Sequence, residues 1–212
     1  MKIAGSAKNP CAHVRNQPKI IIEHLEPELS KWLLFEYESA SNIFKKKVWF
    51  TNIKNNGALK KLKKLGTTKR QSVLKIFPHE KLLILDPCAK KALTPDDLKD
   101  AIAVVGGILG DHPARGRTRN MLTSKTPNAK SRNLGREQLT IDGAAYFIEK
   151  IVAGKKISTI PLKHGLVLKT KLKPSGIYEV VLPYAYPIAN GSPIISKKLL
   201  KYLTGSSSPE II

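Results

Sequence analysis

Four short aliphatic and β-branched runs constrain this 212-residue chain more than anything else in it: Lys19-Ile20-Ile21-Ile22, Val48-Trp49-Phe50-Thr51, Lys81-Leu82-Leu83-Ile84-Leu85 and Ala101-Ile102-Ala103-Val104-Val105. Each is too short for a buried helix, and none alternates polar with apolar residues. Such runs mark strands buried on both faces. The stretches between them have helical spacing. Leu29, Leu33 and Leu34 share a face from about Pro27, with Trp32 and Tyr37 nearby, and Leu59, Leu62 and Leu65 recur between lysine pairs. Thr94-Pro95-Asp96-Asp97 has a helix-opening pattern: an N-cap hydroxyl, a proline in the first turn and an acid three residues on. An apolar helix is expected from Ile141 to Val152, two further β-like pieces at Leu166–Leu168 and Tyr178–Leu182, and a closing helix from Ile194 to Leu203. Strands alternating with helices predict an α/β fold whose sheet is mostly parallel, with helices on both faces.

Residues 1–18 read as a flexible basic extension, residues 19–205 as a single domain and residues 206–212 as a serine-rich tail. The first residues lack the apolar core of a signal peptide, and no apolar run approaches the roughly 18 residues that span a bilayer. These features predict a cytoplasmic protein with no membrane association. Cys11 and Cys88 stand far apart, without a CxxC or a Cys/His cluster, so neither a disulfide framework nor a structural metal site is expected.

Charge narrows the partner class. Thirty-seven basic and 16 acidic residues give a net charge of +21, the balance of a protein that works against phosphate or on something bound to it. The stretch Lys45–Lys75 holds eleven basic residues and no acid, ten of them lysine. A second acid-free stretch, His112–Arg136, is dominated by arginine, the residue suited to bidentate recognition of phosphate or carboxylate. That stretch follows Gly106-Gly107-Ile108-Leu109-Gly110-Asp111-His112-Pro113, where glycines let backbone approach a ligand. The run matches neither GxGxxG nor a P-loop, and alone it reads as a tight strand-to-helix turn. No GxSxG or HExxH is present, and His112 and His24 each stand beside an acid without a nucleophile nearby.

Three strand-end segments in order carry a resemblance: Leu85-Asp86-Pro87, the glycine motif from Gly106 to Pro113 with Arg115, Arg117 and Thr118, and Leu134-Gly135-x-x-Gln138-Leu139-Thr140, preceded by Ile21-Ile22-Glu23-His24 near the start. Together they resemble the SPOUT class of S-adenosylmethionine-dependent methyltransferases, and within it the family of the yeast enzyme that methylates an arginine of small-subunit ribosomal protein S3. Archaeal members of that family are labelled RNA methyltransferases. The resemblance implies a deep trefoil knot over residues 82–155, an otherwise exceptional topology. It also implies S-adenosylmethionine as cofactor, held by Leu85, Asp86, Pro87, Gly106, Gly107, Gly110, Leu134, Gln138, Leu139 and Thr140.

Within that reading Glu23, Asp111 and His112 are the candidate catalytic residues: the carboxylates to orient a guanidinium, or Asp111 or His112 as base for an RNA acceptor. Arg115, Arg117 and Arg132 are the candidate substrate contacts. The expected partner is a ribosomal protein, RNA, or the ribosome carrying both, and the expected state is a monomer or homodimer. Three functions follow in order: methylation of a ribosomal-protein arginine, methylation of rRNA or tRNA, and a non-catalytic RNA-binding or ribosome-assembly role.

Overall fold

The computed structural model describes residues 18–111, 113–171, 176–205 and 209–212. The extension up to Gln17, His112 and Ser206–Ser208 lie outside the described residues. In chain order the elements are β1 (Lys19–His24), α1 (Lys31–Ile43), β2 (Val48–Thr51), α2 (Asn56–Leu62), β3 (Thr67–Thr68), α3 (Val73–Ile76), β4 (Leu82–Leu85), β5 (Ile102–Gly107), α4 (Arg117–Met121), β6 (Lys130–Arg132), α5 (Ile141–Val152), β7 (Leu162–Lys171), β8 (Ile177–Ala189), β9 (Ser192–Pro193), α6 (Lys197–Thr204) and β10 (Glu210–Ile211). The first six strands form one parallel sheet in the order β3-β2-β1-β5-β4-β6.

The four aliphatic runs are its buried strands. Alternate residues point to opposite faces, so Ile20, Ile22, Val48, Phe50, Leu83, Ala103 and Val105 pack under α1, α2 and α5. Ile21, Leu82, Ile84, Ile102 and Val104 pack against Val73 and Leu122 on the other face. The sheet is mostly parallel with helices on both faces, as its uniform hydrophobicity predicts.

Several boundaries differ from the sequence expectation. α1 starts at Lys31 rather than near Pro27, because the Ser30 hydroxyl caps it by accepting from Leu33 N at 3.1 Å. Thr94 and Asp97 form their reciprocal cap, with Thr94 N donating to the Asp97 carboxylate at 3.1 Å, but only the three-residue turn Asp96–Leu98 follows. Asp100, at φ 55°, breaks the turn, and β5 begins two residues later. Gly106 and Gly107 are the last two residues of β5, not a turn. The closing helix starts at Lys197, since Ile194 N is still bonded to Pro187 O.

The two β-like pieces after α5 are parts of a long hairpin, β7–β8, in a separate antiparallel sheet ordered β10-β7-β8-β9. Gly165, at φ 71°, lies at the register shift between His164 and Leu166. The hairpin docks on the segment between β6 and α5 through Ala185 N donating to Gln138 O at 2.9 Å. After β6 the chain runs against the β4–β5 connection, with Asn133 N bonded to Lys91 O and Leu93 N to Asn133 O. It then crosses to α5, which packs on α1 and β5. Among the described residues no helix is long and apolar enough to cross a membrane.

Gly107 fixes how α1 lies on the sheet. The wholly buried Tyr37 projects from α1 into the space a side chain at Gly107 would take. Its hydroxyl donates to Gly107 O at 3.2 Å and lies 3.0 Å from His24 Nδ1. Burial pushes the Tyr37 hydroxyl well above its ordinary pKa, so it stays a neutral donor. A methyl group on Gly107 would overlap that hydroxyl and stand 2.9 Å from Glu23 O. The substitution Gly107→Ala is expected to cost about 1–3 kcal/mol of stability by overpacking, read as a lower urea midpoint. An unchanged midpoint would show that α1 is positioned by something else.

Candidate active site

The carboxyl ends of β4, β5 and β6 gather three loops around a cleft of about 640 Å³. Its walls include Leu85, Asp86, Pro87, Gly106, Gly110, Leu134, Gln138, Leu139 and Thr140, nine of the ten residues singled out as cofactor contacts. Val105, Ile108, Thr118, Glu137, Ile141 and Ala144 complete the lining with Gly135. The tenth, Gly107, faces away from the cleft and admits Tyr37 instead.

The cleft is shaped by the way its polar groups are already engaged. Asp86 is buried; its carboxylate accepts from Cys88 N and the Thr123 hydroxyl, both at 2.8 Å, and pairs with Arg119 at 3.6 Å. It therefore builds a wall rather than reaching a ligand. Gly110 lies so close to Gln138 and the Tyr184 ring that a side chain would collide with both. Tyr184, from β8, donates to Gly110 O at 2.7 Å. At Gly106 the nearest atoms to an added methyl group would be Thr118 Oγ1 at 3.1 Å, Leu25 at 3.5 Å and Ile108 at 3.7 Å, and Gly106, Thr118 and Ile108 all line the cleft.

The arginines favoured as substrate contacts are mostly consumed internally. Arg117 pairs with Asp111 at 2.6 Å and with Glu26 at 3.1 Å, and also donates to Leu109 O. It clamps the loop after β5, and Asp111 is its partner. Arg132 makes a two-pronged pair with Asp97 at 3.0 and 2.7 Å, which locks β6 to the β4–β5 connection. Arg115 is exposed on the loop. Glu23 is also removed from the cleft: it is buried, accepts from Thr51 Oγ1 and, at 3.0 Å, from Val73 N, and ties β1 to β2 and α3. Its position corrects the expectation that it orients an acceptor.

A second chamber of about 460 Å³ opens beside the first, sharing Ile108, Gly110, Leu139 and Thr140 with it and adding Trp32, Glu36, Leu109 and Tyr184. Glu36 is 3% exposed. One carboxylate oxygen accepts from Trp32 Nε1 at 2.6 Å and the other from Ile141 N at 3.0 Å, at the amino end of α5. Burial and the nearby Asp142 carboxylate push the Glu36 pKa up to about 8. Asp142, itself buried, accepts from the Thr140 hydroxyl at 2.7 Å and from Gly143 N at 3.0 Å, and burial raises its pKa too. Sequence reasoning missed Glu36 and Tyr184. The signal for Glu36 was an acid on the same helical stripe as Leu33, Tyr37 and Ala40; Tyr184 lies just beyond the piece recognised as strand.

Three comparisons with known proteins agree with this geometry. The family model described as SFM1-like, protein arginine N-methyltransferase SFM1-like, matches residues 19–209. Protein arginine N-methyltransferase SFM1 of Saccharomyces cerevisiae (strain ATCC 204508 / S288c) is 33% identical over 151 residues, which are 63% of this chain and 70% of that protein. The crystal structure of the yeast arginine methyltransferase SFM1 complexed with SAM superposes with a TM-score of 0.76 at 26% identity, over 90% of this chain and 92% of that one. The crystal structure of dual-specific Trm10 from Thermococcus kodakaraensis superposes at 0.52 with 14% identity, over 66% of this chain and 95% of that one, a likeness of fold alone.

The cleft fits S-adenosylmethionine on its own features. Leu85, Leu134 and Leu139 offer apolar walls for a purine, and Gly106 brings bare backbone to the lining. The substitution Gly106→Ala is expected to keep a cooperative urea transition at a cost of no more than about 1–3 kcal/mol, the tight contact being the Thr118 hydroxyl at 3.1 Å. It should nevertheless weaken S-adenosylhomocysteine binding at least about tenfold, about 1.4 kcal/mol by calorimetry. Unchanged affinity would place the ligand elsewhere.

Proposed function

The chain belongs to the SFM1-like protein arginine N-methyltransferase family and is an S-adenosylmethionine-dependent methyltransferase; from that premise we propose that its acceptor is an arginine side chain, carried by a ribosomal protein of the S3 type. The observation that carries the arginine reading is Glu36, a buried carboxylate in a chamber contiguous with the donor cleft. A buried charge is costly unless paired, and a guanidinium is the cation whose planar donors match a carboxylate. The remaining acceptor sites of Glu36 would take those donors, while Trp32 Nε1 and Ile141 N hold the carboxylate in one orientation. Trp32, Leu109 and Tyr184 would line the acceptor's path and keep water from it.

Bound in the larger cleft, with Leu85, Leu134, Leu139 and the glycine backbone as its walls, S-adenosylmethionine supplies an electrophilic methyl carbon. Catalysis by the chain is alignment and the handling of one proton. Guanidinium is protonated at neutral pH. Glu36 would orient the attacking nitrogen and take the proton released as that nitrogen is alkylated. The burial and the Asp142 charge that raise its proton affinity make Glu36 a stronger base than an exposed carboxylate. Glu36 is the acid on the wall of this chamber, and a carboxyl group there matches the donors of a guanidinium but offers no cation to a phosphodiester, which favours arginine over RNA as the acceptor.

The ionised form of Glu36 is the one that pairs and accepts a proton. The ratio kcat/KM for an S3-type arginine peptide should therefore rise about tenfold per pH unit at low pH and level off at or somewhat below pH 8, because the neighbouring sulfonium favours the carboxylate. Glu36→Gln should lower kcat/KM by about 100-fold or more and erase that inflection, with S-adenosylhomocysteine affinity nearly unchanged. A Glu36→Gln variant with wild-type turnover and pH profile would refute the role assigned to Glu36.

A further inference from the structure

The lysine-rich stretch takes no part in the site described above, and its environment is unlike that of the arginine-rich stretch. All eleven basic residues between Lys45 and Lys75 are exposed, and none forms an ion pair with a carboxylate among the described residues. By contrast three of the five arginines of the other stretch, Arg117, Arg119 and Arg132, are paired. Unscreened like charge destabilises a fold by self-repulsion, and here it is concentrated on one sheet edge instead of being spread among acids.

The edge is the one formed by β2 and β3. Lys45–Lys47 precede β2 at the amino end of the sheet, Lys54 and Arg70 stand at its carboxyl end, and the lysines of α2 and its last turn lie between. Lys54 Nζ donates to Arg70 O at 2.9 Å and Arg70 to Lys54 O at 2.8 Å, so these two cations are fixed by backbone and keep their charge unneutralised. Lys45 and Lys46 have φ of 51° and 63°, a left-handed backbone uncommon for residues with side chains. The turn they make presents three successive lysines at the rim of an open groove of about 1,580 Å³, whose lining also includes Lys19, Trp49 and a single acid, Glu149, itself paired with Lys150 at 2.9 Å. Lys19 Nζ lies 4.3 Å and Lys69 Nζ 5.5 Å from the centre of the Trp49 ring, contacts that hold both cations over an uncharged support.

We propose that the β2–β3 edge is a docking surface for the phosphodiester backbone of RNA, separate from the methyl-acceptor chamber. Lysine, a compact point charge, suits loose contact with successive phosphates better than bidentate capture of carboxylates. None of the exposed large hydrophobic side chains (Ile177, Tyr178, Val181, Tyr202 and Ile212) lies in this stretch, so the edge lacks the apolar partners that a membrane-surface site would use. One strand, β1, separates β2 from β5, about 10 Å between strand axes. RNA held on the edge would therefore run beside the methyl-transfer cleft without entering it.

The test uses the full chain and a fluorescein-labelled RNA duplex of about 20 base pairs, followed by anisotropy over a salt series. Expected is a log–log salt slope steeper than about −3. The quadruple variant Lys60→Glu, Lys61→Glu, Lys63→Glu and Lys64→Glu should bind at least about tenfold more weakly with a shallower slope. The equally charged control Lys90→Glu, Lys91→Glu, Lys155→Glu and Lys156→Glu, all at exposed positions, should stay within about twofold of wild type. If the first variant loses its circular dichroism spectrum, Lys45→Gln, Lys46→Gln and Lys47→Gln takes its place with the same expectation. Both edge variants should methylate a short arginine peptide at the wild-type rate. Equal losses in edge variant and control would reduce the effect to net charge and overturn the proposal. So would absence of RNA binding by the wild type, or equal affinity at the same salt for polyglutamate or for phosphatidylserine vesicles.

Discussion

Two adjacent glycines at the end of the central strand are the constraint on which the rest of this structure depends. Successive residues of a strand face opposite sides, so Gly106 and Gly107 leave space on both faces of β5. On one side the missing side chain opens the donor cleft. On the other the Tyr37 hydroxyl fills the space and bonds to the strand backbone. That contact fixes the rotation of α1, and Glu36, one residue before Tyr37, is thereby carried to the wall of the second chamber. A side chain at either glycine would disturb a different half of the site, one by filling the cleft and the other by displacing the helix that bears the carboxylate.

Charge is sorted by sign in the same fold. The acids are inside: Glu36 and Asp142 share a low-dielectric pocket at the start of α5, where each makes it harder for the other to ionise. Most of the arginines near the cleft are structural, holding the loop after β5 and the β4–β5 connection in place through Asp111, Glu26 and Asp97. The unneutralised lysines are outside, on the β2–β3 edge. A protein of net charge +21 can thus present an acidic chamber to a cationic side chain while most of its exterior is positive.

Much of the fold is legible in the sequence because a strand buried on both faces is uniformly apolar, and Ile20–Ile22, Leu82–Leu85 and Ile102–Val105 could hardly be anything else. The cap at Thr94 is legible too, yet no helix follows it; local capping chemistry does not decide whether a chain continues, and Asp100 turns it towards β5 instead. The hairpin β7–β8 shows in the sequence only as two fragments, since its bulge at Gly165 and its half-exposed residues blur the alternation. In the site, the segments around Leu85, Gly106 and Leu134 are legible as strand ends with glycine or proline, and nine of the ten residues named there line one cleft. Glu36 is hidden inside an apolar helical stripe, where an acid looks like an interruption. The arginine-rich stretch departs from the role its composition suggests, because no sequence shows that Arg117 and Arg132 have carboxylate partners, Glu26 and Asp97, distant in the chain.

The most direct test of the account is the chemical identity of the methylated group. Small-subunit ribosomal proteins and their RNA, incubated together with the enzyme and labelled S-adenosylmethionine, would be separated, hydrolysed and analysed by mass spectrometry. The account predicts label recovered as N-methylarginine from a single ribosomal protein, and none in the nucleosides. Label in a nucleoside, or in an amino acid other than arginine, would contradict it.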